Sequence, residues 1–267
     1  MTVESLTLLS RRRFLALGLG AACCCLLPRP LRAGTPNWYE ANREKLLAEF
    51  RDTNAGMMAL ARPRLGGKSA DDAAREAEAG FSRLLPGLPD VGGEANRNLP
   101  FLVQAAWLVA LYRPLAARSL SADEVGKMYF DLCAQSLAQA PAQAMLARGA
   151  AAFTPEALAA TRAWALETQK RRYPADWVAS YVEGDGATFD YGYDYVECGA
   201  LKYFRAQGAA DVAPWYCRND FTISKIMGTG LFRTGTLADG APRCDFRYRR
   251  LRRFIEQPRG SRLPASL

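Results

Sequence analysis

The sequence predicts an α+β fold, in which a helical N-terminal half is followed by a small antiparallel sheet of two hairpins with two intervening helices. Three observations predict this fold. Helix-start signals and apolar positions at helical spacing recur between residues 35 and 172. From Trp177 onward, short runs rich in aromatic and β-branched residues alternate with turn sequences. Two further segments of helical character separate these runs into two pairs.

The helical half is expected to begin at Thr35-Pro36, where a capping hydroxyl precedes a proline at the first helical position. A second helix is expected after Ser69. Two prolines and three glycines then make residues 86–93 a loop, which extends to Asn98. Residues 99–117 are so densely apolar that they predict a buried central helix.

Two more helix starts follow the central helix. Ser121 and Glu124 have the spacing of a capping box, and Thr154-Pro155-Glu156 begins another helix. The segment between these starts is rich in alanine, the residue with the highest helix propensity. Helices are therefore expected as far as about residue 172.

The first hairpin is expected at residues 177–182 and 189–196, around a turn at Gly184-Asp185-Gly186. Both runs contain the aromatic and β-branched residues that strands favour. Helices at about 198–207 and 213–227 follow.

The second hairpin is expected at residues 230–237 and 244–251, with its turn at Ala238-Asp239-Gly240. No internal repeat divides the chain. We therefore expect one domain at residues 34–267, with a helical part at 34–172 and an α+β part at 173–255.

The N-terminus has the three parts of an export signal. Ser10-Arg11-Arg12-Arg13-Phe14 opens an apolar run that is shorter than the roughly 20 residues of a membrane span, and a small-residue exit follows at Leu31-Arg32-Ala33. Paired arginines are typical of the twin-arginine route. The sequence thus predicts a signal at residues 1–33, contact of residues 10–33 with the twin-arginine export machinery, and a periplasmic or otherwise exported protein. Cys23 is a weaker candidate for lipid attachment.

The net charge of the chain gives little information about its binding partners. Removal of residues 1–33 lowers the net charge from +8 to +4, since five arginines and one glutamate are lost. Residues 243–262 contain eight arginines, but no nucleic-acid-binding motif accompanies them. Arg247 and Arg249 alternate with Phe246 and Tyr248, as on the solvated face of a strand. We expect no nucleic-acid partner, and membrane contact only through the signal.

Four cysteines lie beyond the signal: Cys133, Cys198, Cys217 and Cys244. In an oxidising compartment they could form two disulfides. Twin-arginine substrates fold in the reducing cytoplasm before export, so free thiols are the other possibility. No pair has the close spacing of a zinc knuckle or ribbon, which disfavours a cysteine-only metal site.

The chain contains no histidine. This absence excludes Ser-His-Asp and Cys-His catalytic arrangements and every histidine-ligated metal site. Proton transfer must therefore fall to Asp, Glu, Lys, Tyr or Cys.

The candidate catalytic residues lie in the last third of the chain. Cys217 and Asp220 are three residues apart, which places them on one face of a helix. A carboxylate within reach of a thiol can accept its proton, and an arginine such as Arg233 can stabilise the thiolate or grip a substrate carboxylate. Cys244 and Asp245 form a second, reserve pair. Equally, the cysteines can be buried packing residues and Asp220 a structural hydrogen-bonding group.

These segments resemble the L-2-amino-thiazoline-4-carboxylic acid hydrolase family. The resemblance rests on four stretches that together span residues 88–248, most of the chain beyond the signal. They are Leu88-Pro89-Asp90-Val91-Gly92-Gly93 with Asn96, residues 189–199, residues 213–220, and Arg233-Thr234-Gly235-Thr236-Leu237-Ala238-Asp239-Gly240 with Cys244-Asp245-Phe246-Arg247-Tyr248. The last stretch, two motifs at fixed separation, is the most specific.

The resemblance implies a hydrolase that acts on a non-peptide C–N bond by opening the 2-aminothiazoline ring, a cyclic isothiourea, to S-carbamoylcysteine. On this basis Cys217 is the expected nucleophile and Asp220 the proton acceptor, with Cys244 and Asp245 in reserve. Arg233, Thr236 and Asn96 are the expected substrate-binding residues. Because the chain has a predicted export signal, a different cyclic amide or amidine is the alternative natural substrate.

A non-catalytic exported protein that binds a small anionic ligand is the competing hypothesis. Its arginines would hold the ligand and its cysteines would pack or pair. The sequence calls for no cofactor and leaves a need for divalent metal open. In both hypotheses the partner is a small molecule.

Overall fold

The structure is a computed structural model, and it describes residues 37–250. The described part is α+β, as predicted: helices make up its N-terminal half and a four-stranded antiparallel sheet lies in its C-terminal half. The predicted signal at residues 1–33 and the basic segment beyond residue 250 lie outside the described residues. The helices are α1 Trp38–Ala41, α2 Arg43–Leu65, α3 Gly67–Leu84, α4 Leu99–Ala116, α5 Ala122–Ala138, α6 Ala142–Ala151, α7 Pro155–Thr168, α8 Gly199–Ala206 and α9 Ala213–Met227.

Helix α4 is the centre of the core, as its apolar density predicts. Its Trp107 side chain is 1 % exposed and packs against Phe50 of α2 and Phe81 of α3, with ring centroids 6.5 and 6.4 Å away. Within residues 37–250, α4 alone is long and apolar enough to cross a membrane, but 67 % of it is buried inside the protein. Such burial is typical of the core helix of a globular domain.

Two of the predicted helix starts are confirmed, and the third lies outside the described residues. Ser121 and Glu124 form the complete capping box of α5, and the Thr154 side chain caps α7. The first helix of the described residues begins at Trp38, because the Asn37 side chain accepts the Glu40 N–H at 2.9 Å. Thr35-Pro36, the predicted start, lies outside the described residues. The alanine-rich segment forms two helices, α5 and α6, which are separated at Pro141.

The sheet consists of β1 Val178–Glu183, β2 Tyr191–Glu197, β3 Leu231–Phe232 and β4 Cys244–Tyr248, in the order β1-β2-β4-β3. All neighbouring strands are antiparallel. The two predicted hairpins and the two helices between them are therefore present, and β2 and β4 join the hairpins into one sheet.

Strand β3 is much shorter than the predicted strand at 230–237. After Phe232 the chain leaves the sheet, because the Asp245 carboxylate accepts the backbone N–H groups of Thr234 and Gly235, both at 2.9 Å. These donors no longer need a partner strand. The sequence prediction treated a side-chain-capped turn as continued strand.

Strands β2 and β4 present an aromatic face to the helices. Tyr191, Tyr193 and Tyr195 alternate along β2 and are all buried, as the two-residue period of a strand requires. Across the strand pair, Tyr193 lies opposite Phe246 and Tyr191 opposite Tyr248. Phe153, which precedes α7, and Trp164 of α7 pack edge to face against this face, at Tyr191 and Tyr193.

Gly149 allows α6 to dock closely against the end of α9. A Cβ atom at this position would lie 1.8 Å from the Met227 carbonyl oxygen, and backbone cannot move aside as a side chain can. We expect Gly149→Ala to lower the free energy of unfolding by about 1–3 kcal/mol, the usual cost of overpacking. Urea denaturation measures this change.

Gly87→Ala is the matched control, since a Cβ there meets nothing within 4 Å. This control should change stability by less than about 0.5 kcal/mol. Equal stability of the two variants would show that α6 does not dock as described.

Candidate active site

A cavity of about 340 Å³ lies between the aromatic face of β2 and β4 and helices α8 and α9. Nine of its 24 lining residues are aromatic. Its polar groups include four of the seven predicted site residues: Cys217, Asp220, Arg233 and Cys244. The cavity therefore brings together residues that are up to 27 positions apart in the sequence.

Asp220 and Arg233 form an ion pair inside this cavity. Arg233 Nη1 donates to Asp220 Oδ2 at 2.6 Å, and Nη2 donates to the Cys217 carbonyl at 2.9 Å. The Arg233 side chain is only 4 % exposed. Its guanidinium lies 4.9 Å from the ring centroids of both Phe221 and Phe246, a cation–π arrangement that fixes its plane.

The environment of Asp220 favours a proton acceptor. Burial raises the pKa of Asp220 above its ordinary value, and the charge of Arg233 opposes this rise. A carboxylate with a raised pKa is a stronger base than an exposed one, while the paired guanidinium keeps it ionised. The pair therefore holds a half-buried base at the cavity, next to a guanidinium that is almost fully enclosed.

The environment of Cys217 favours the neutral thiol. Burial raises its pKa well above the ordinary value, and the neighbouring Asp220 charge raises it further, against a smaller opposing effect of Arg233. A thiolate that is already formed at neutral pH, as the sequence analysis envisaged, is not what this environment stabilises. Any attack by Cys217 must accompany transfer of its proton.

Two more thiols line the cavity. Cys198 is the N-cap of α8, where its Sγ accepts the Leu201 N–H at 3.5 Å, and Cys244 Sγ accepts the Leu237 N–H at 3.2 Å. Burial raises the pKa of both, to about 12 for Cys198. All four cysteines of residues 37–250 are free, so the structure contains neither of the two possible disulfides. Within the same residues, no group of three His, Cys, Asp or Glu side chains is placed to hold a metal ion.

Tyrosine hydroxyls supply polar groups that the sequence analysis did not single out. The hydroxyl groups of Tyr193 and Tyr248 lie 3.0 Å apart, and the Tyr193 ring stacks on Phe246 with centroids 5.1 Å apart. Burial raises the pKa of both tyrosines, so their hydroxyls stay protonated at neutral pH. The alternation of tyrosines in residues 191–195 is the sequence pattern that could have indicated these hydroxyl groups.

The other three predicted site residues hold loops instead of lining the cavity. Asp245 binds the turn after β3, as described above. The Thr236 hydroxyl donates to Asp239 Oδ2 at 2.6 Å and caps a short 3₁₀ helix. The Asn96 side-chain amide donates to the Val91 carbonyl at 2.6 Å. All three side chains thus position neighbouring backbone, and none faces the cavity.

Comparison with known proteins points to one family. The family model for L-2-amino-thiazoline-4-carboxylic acid hydrolase matches residues 100–248, more than half of the chain. No curated protein and no solved structure matches the chain. The matched range runs from α4 to β4 and includes Cys198, Cys217, Asp220, Arg233 and Cys244. The chain therefore belongs to the L-2-amino-thiazoline-4-carboxylic acid hydrolase family, whose name denotes a hydrolase activity.

Proposed function

We propose that this protein hydrolyses a C–N bond in a small cyclic amidine or isothiourea, of which L-2-amino-thiazoline-4-carboxylate is the first candidate. The observation that carries the proposal is the buried ion pair of Asp220 and Arg233 beside Cys217. It provides a base, a fixed positive charge and a nucleophile in an aromatic cavity whose volume suits a single small ring. Family membership supports the hydrolytic class of the reaction.

The chemistry requires attack on the ring carbon that lies between sulfur and nitrogen. This amidine-like carbon is electrophilic because it is doubly bonded to nitrogen and singly bonded to two further heteroatoms that withdraw electrons through their σ bonds. Addition of a nucleophile gives a tetrahedral centre, and cleavage of the bond to the ring nitrogen opens the ring. Together with the oxygen of one water molecule, this sequence yields an S-carbamoyl product and a free amine. Arg233 and the neutral tyrosine hydroxyls can stabilise the charges that develop.

Two nucleophiles fit the geometry. In one route Asp220 accepts the Cys217 proton as sulfur bonds to the ring carbon, the ring nitrogen leaves with that proton, and water then displaces the cysteine. In the other, Asp220 deprotonates a water molecule that attacks directly, and Cys217 only shapes the wall. The raised pKa of Cys217 is compatible with the first route only if proton transfer and attack are coupled.

Cys217→Ser separates the routes. If sulfur is the nucleophile, the rate of ring opening should fall by about 100-fold or more, since a serine hydroxyl is far less acidic and less nucleophilic. Steady-state kinetics of purified protein measures this rate. Cys133→Ala is the control, because Cys133 is a half-buried free cysteine that does not line the cavity. Undiminished ring opening by Cys217→Ser would falsify the covalent route and leave the water route.

The substrate itself is found by screening. Purified protein is incubated with thiazolines, other cyclic amidines and lactams, with and without divalent metal, and products are identified by mass spectrometry. Ring opening of one of these compounds, with a mass gain of one water, supports the proposal. If every compound is bound or ignored without conversion, the competing hypothesis of a non-catalytic binder for a small anion is favoured.

We also propose that residues 1–33 direct export by the twin-arginine route and are then removed. The tripartite pattern around Arg11, Arg12 and Arg13 supports this proposal. N-terminal sequencing of the protein recovered from the periplasm should begin near Gly34, and a double lysine substitution at Arg12 and Arg13 should retain the protein in the cytoplasm. Cytoplasmic accumulation of the unaltered chain contradicts the proposal.

A further inference from the structure

The cavity carries an excess of positive charge. Its charged lining residues are Arg97, Arg148, Asp220 and Arg233. Asp220 and Arg233 neutralise each other. Within residues 37–250, neither Arg97 nor Arg148 has a carboxylate partner. The cavity thus has two arginines whose charge is not compensated by a neighbouring side chain.

Arg97 is held in position without using its charge. Its guanidinium lies 4.2 Å from the centroid of the Trp164 ring, and Trp164 in turn contacts Tyr193 edge to face at 5.5 Å. The preceding loop is fixed, because Asn96 Oδ1 accepts the Asn98 N–H at 2.8 Å. Stacking on an aromatic ring leaves the N–H groups of a guanidinium free to donate in its plane.

Arg148 also lines the cavity, where it is contributed by α6. It lies in the last turn of α6, next to Gly149, whose close approach to Met227 fixes the position of this helix against α9. Its side chain is exposed. Arg148 and Arg97 therefore belong to the solvent-accessible rim, whereas Arg233 is enclosed deeper in the cavity.

We propose that Arg97 and Arg148 form a carboxylate-binding rim that selects substrates with an acidic group next to the reacting ring. This inference rests on the proposed function and deepens it. From the sequence, Arg233 is the predicted partner of the substrate carboxylate. Arg233 is instead bonded to Asp220 and to the Cys217 carbonyl and lies between two aromatic rings, so the unpaired rim arginines are better placed for this task. A ring held by its carboxylate at the rim extends toward Asp220.

The test compares two probes that differ only in the acid group: L-2-amino-thiazoline-4-carboxylate and 2-amino-2-thiazoline, which lacks the carboxylate. The Arg97→Gln/Arg148→Gln double variant should lose about 10- to 100-fold in kcat/KM for the carboxylate, mainly through KM. Its kcat/KM for 2-amino-2-thiazoline, which has no carboxylate for the two arginines to bind, should stay within about twofold. Arg205→Gln, an exposed arginine of α8 that does not line the cavity, is the matched control. It should behave like the unaltered protein.

Each result decides the proposal. The proposal of a carboxylate-binding rim is wrong if the double variant loses kcat/KM equally for both probes. It is also wrong if the double variant prefers the carboxylate probe as strongly as the unaltered protein does. If the unaltered protein opens neither ring, the proposed function fails, and binding then tests the carboxylate-binding rim. Tryptophan fluorescence should show that the unaltered protein binds the carboxylate probe more tightly than the other probe. The double variant should lose this preference. If the unaltered protein does not bind the carboxylate probe preferentially, the proposal of a carboxylate-binding rim is wrong. Arg97→Lys/Arg148→Lys, which retains both charges, should restore part of the preference, and a melting curve establishes that the variants fold.

Discussion

Replacing Asp220 by asparagine should lower the rate of ring opening by about 100- to 10,000-fold, the usual contribution of a general base. The change removes a proton acceptor while it keeps the size of the side chain and an oxygen that Arg233 can bind. Binding of substrate should persist, so the loss should appear in kcat. Steady-state kinetics together with a melting curve tests both statements.

The control for this variant is Asp211→Asn, which removes an exposed carboxylate near the start of α9 that does not line the cavity. It should leave kcat unchanged within about twofold. If Asp220→Asn retains full activity, Asp220 is not the base, and the proton must go to another group of the cavity. Both nucleophile routes fail in that case, because each depends on this carboxylate.

Replacing Arg233 by methionine should reduce the free energy of unfolding by about 3 kcal/mol at neutral pH, since it leaves the Asp220 charge buried without its partner. The Arg233 side chain is 4 % exposed and that of Asp220 31 %, which places the effect at the low end for buried pairs. Arg162→Met is the matched control. It removes an equally close pair with Glu183, but the two side chains are 43 % and 68 % exposed, and such surface pairs contribute less than about 1 kcal/mol.

The loss caused by Arg233→Met should depend on pH in a defined direction. Arg233 opposes the rise of the Asp220 pKa, so its removal raises this pKa further. The native state then binds a proton that the unfolded state releases, and stability falls as pH rises through the native pKa. The variant should be closest to the unaltered protein near the ordinary aspartate pKa of about 4 and furthest from it at pH 7. A difference in unfolding free energy that is the same at both pH values contradicts an ionised, buried Asp220.

The elements that the sequence predicts well are those with local causes. The capping box at Ser121 and the apolar density of α4 depend on residues within one helix, and the alternation of β2 is a property of one strand. The early end of β3 was missed because its cause is not local: the carboxylate of Asp245, on the next strand, binds the backbone after Phe232. A turn stabilised by a distant side chain has the same sequence pattern as a continued strand.

The same distinction separates what could and could not be predicted for the site. The helical spacing of Cys217 and Asp220 indicates that they share a face, and the structure puts both at the cavity. Spacing gives no information about burial, which raises the pKa of Cys217 and makes its neutral form the favoured one. Arg97 and Cys198 were passed over as site residues, because their place at the cavity depends on how α4, α8 and the sheet pack together.

The most direct test of the central claim is a crystal structure of the Asp220→Asn variant with L-2-amino-thiazoline-4-carboxylate bound. We expect the ring in the cavity beside Tyr193 and Phe246, with its reacting carbon about 3–3.5 Å from Cys217 Sγ or from a water molecule bonded to residue 220. Its carboxylate should face Arg97 and Arg148. A ligand bound at any other place, while this cavity stays filled with water alone, would contradict the account.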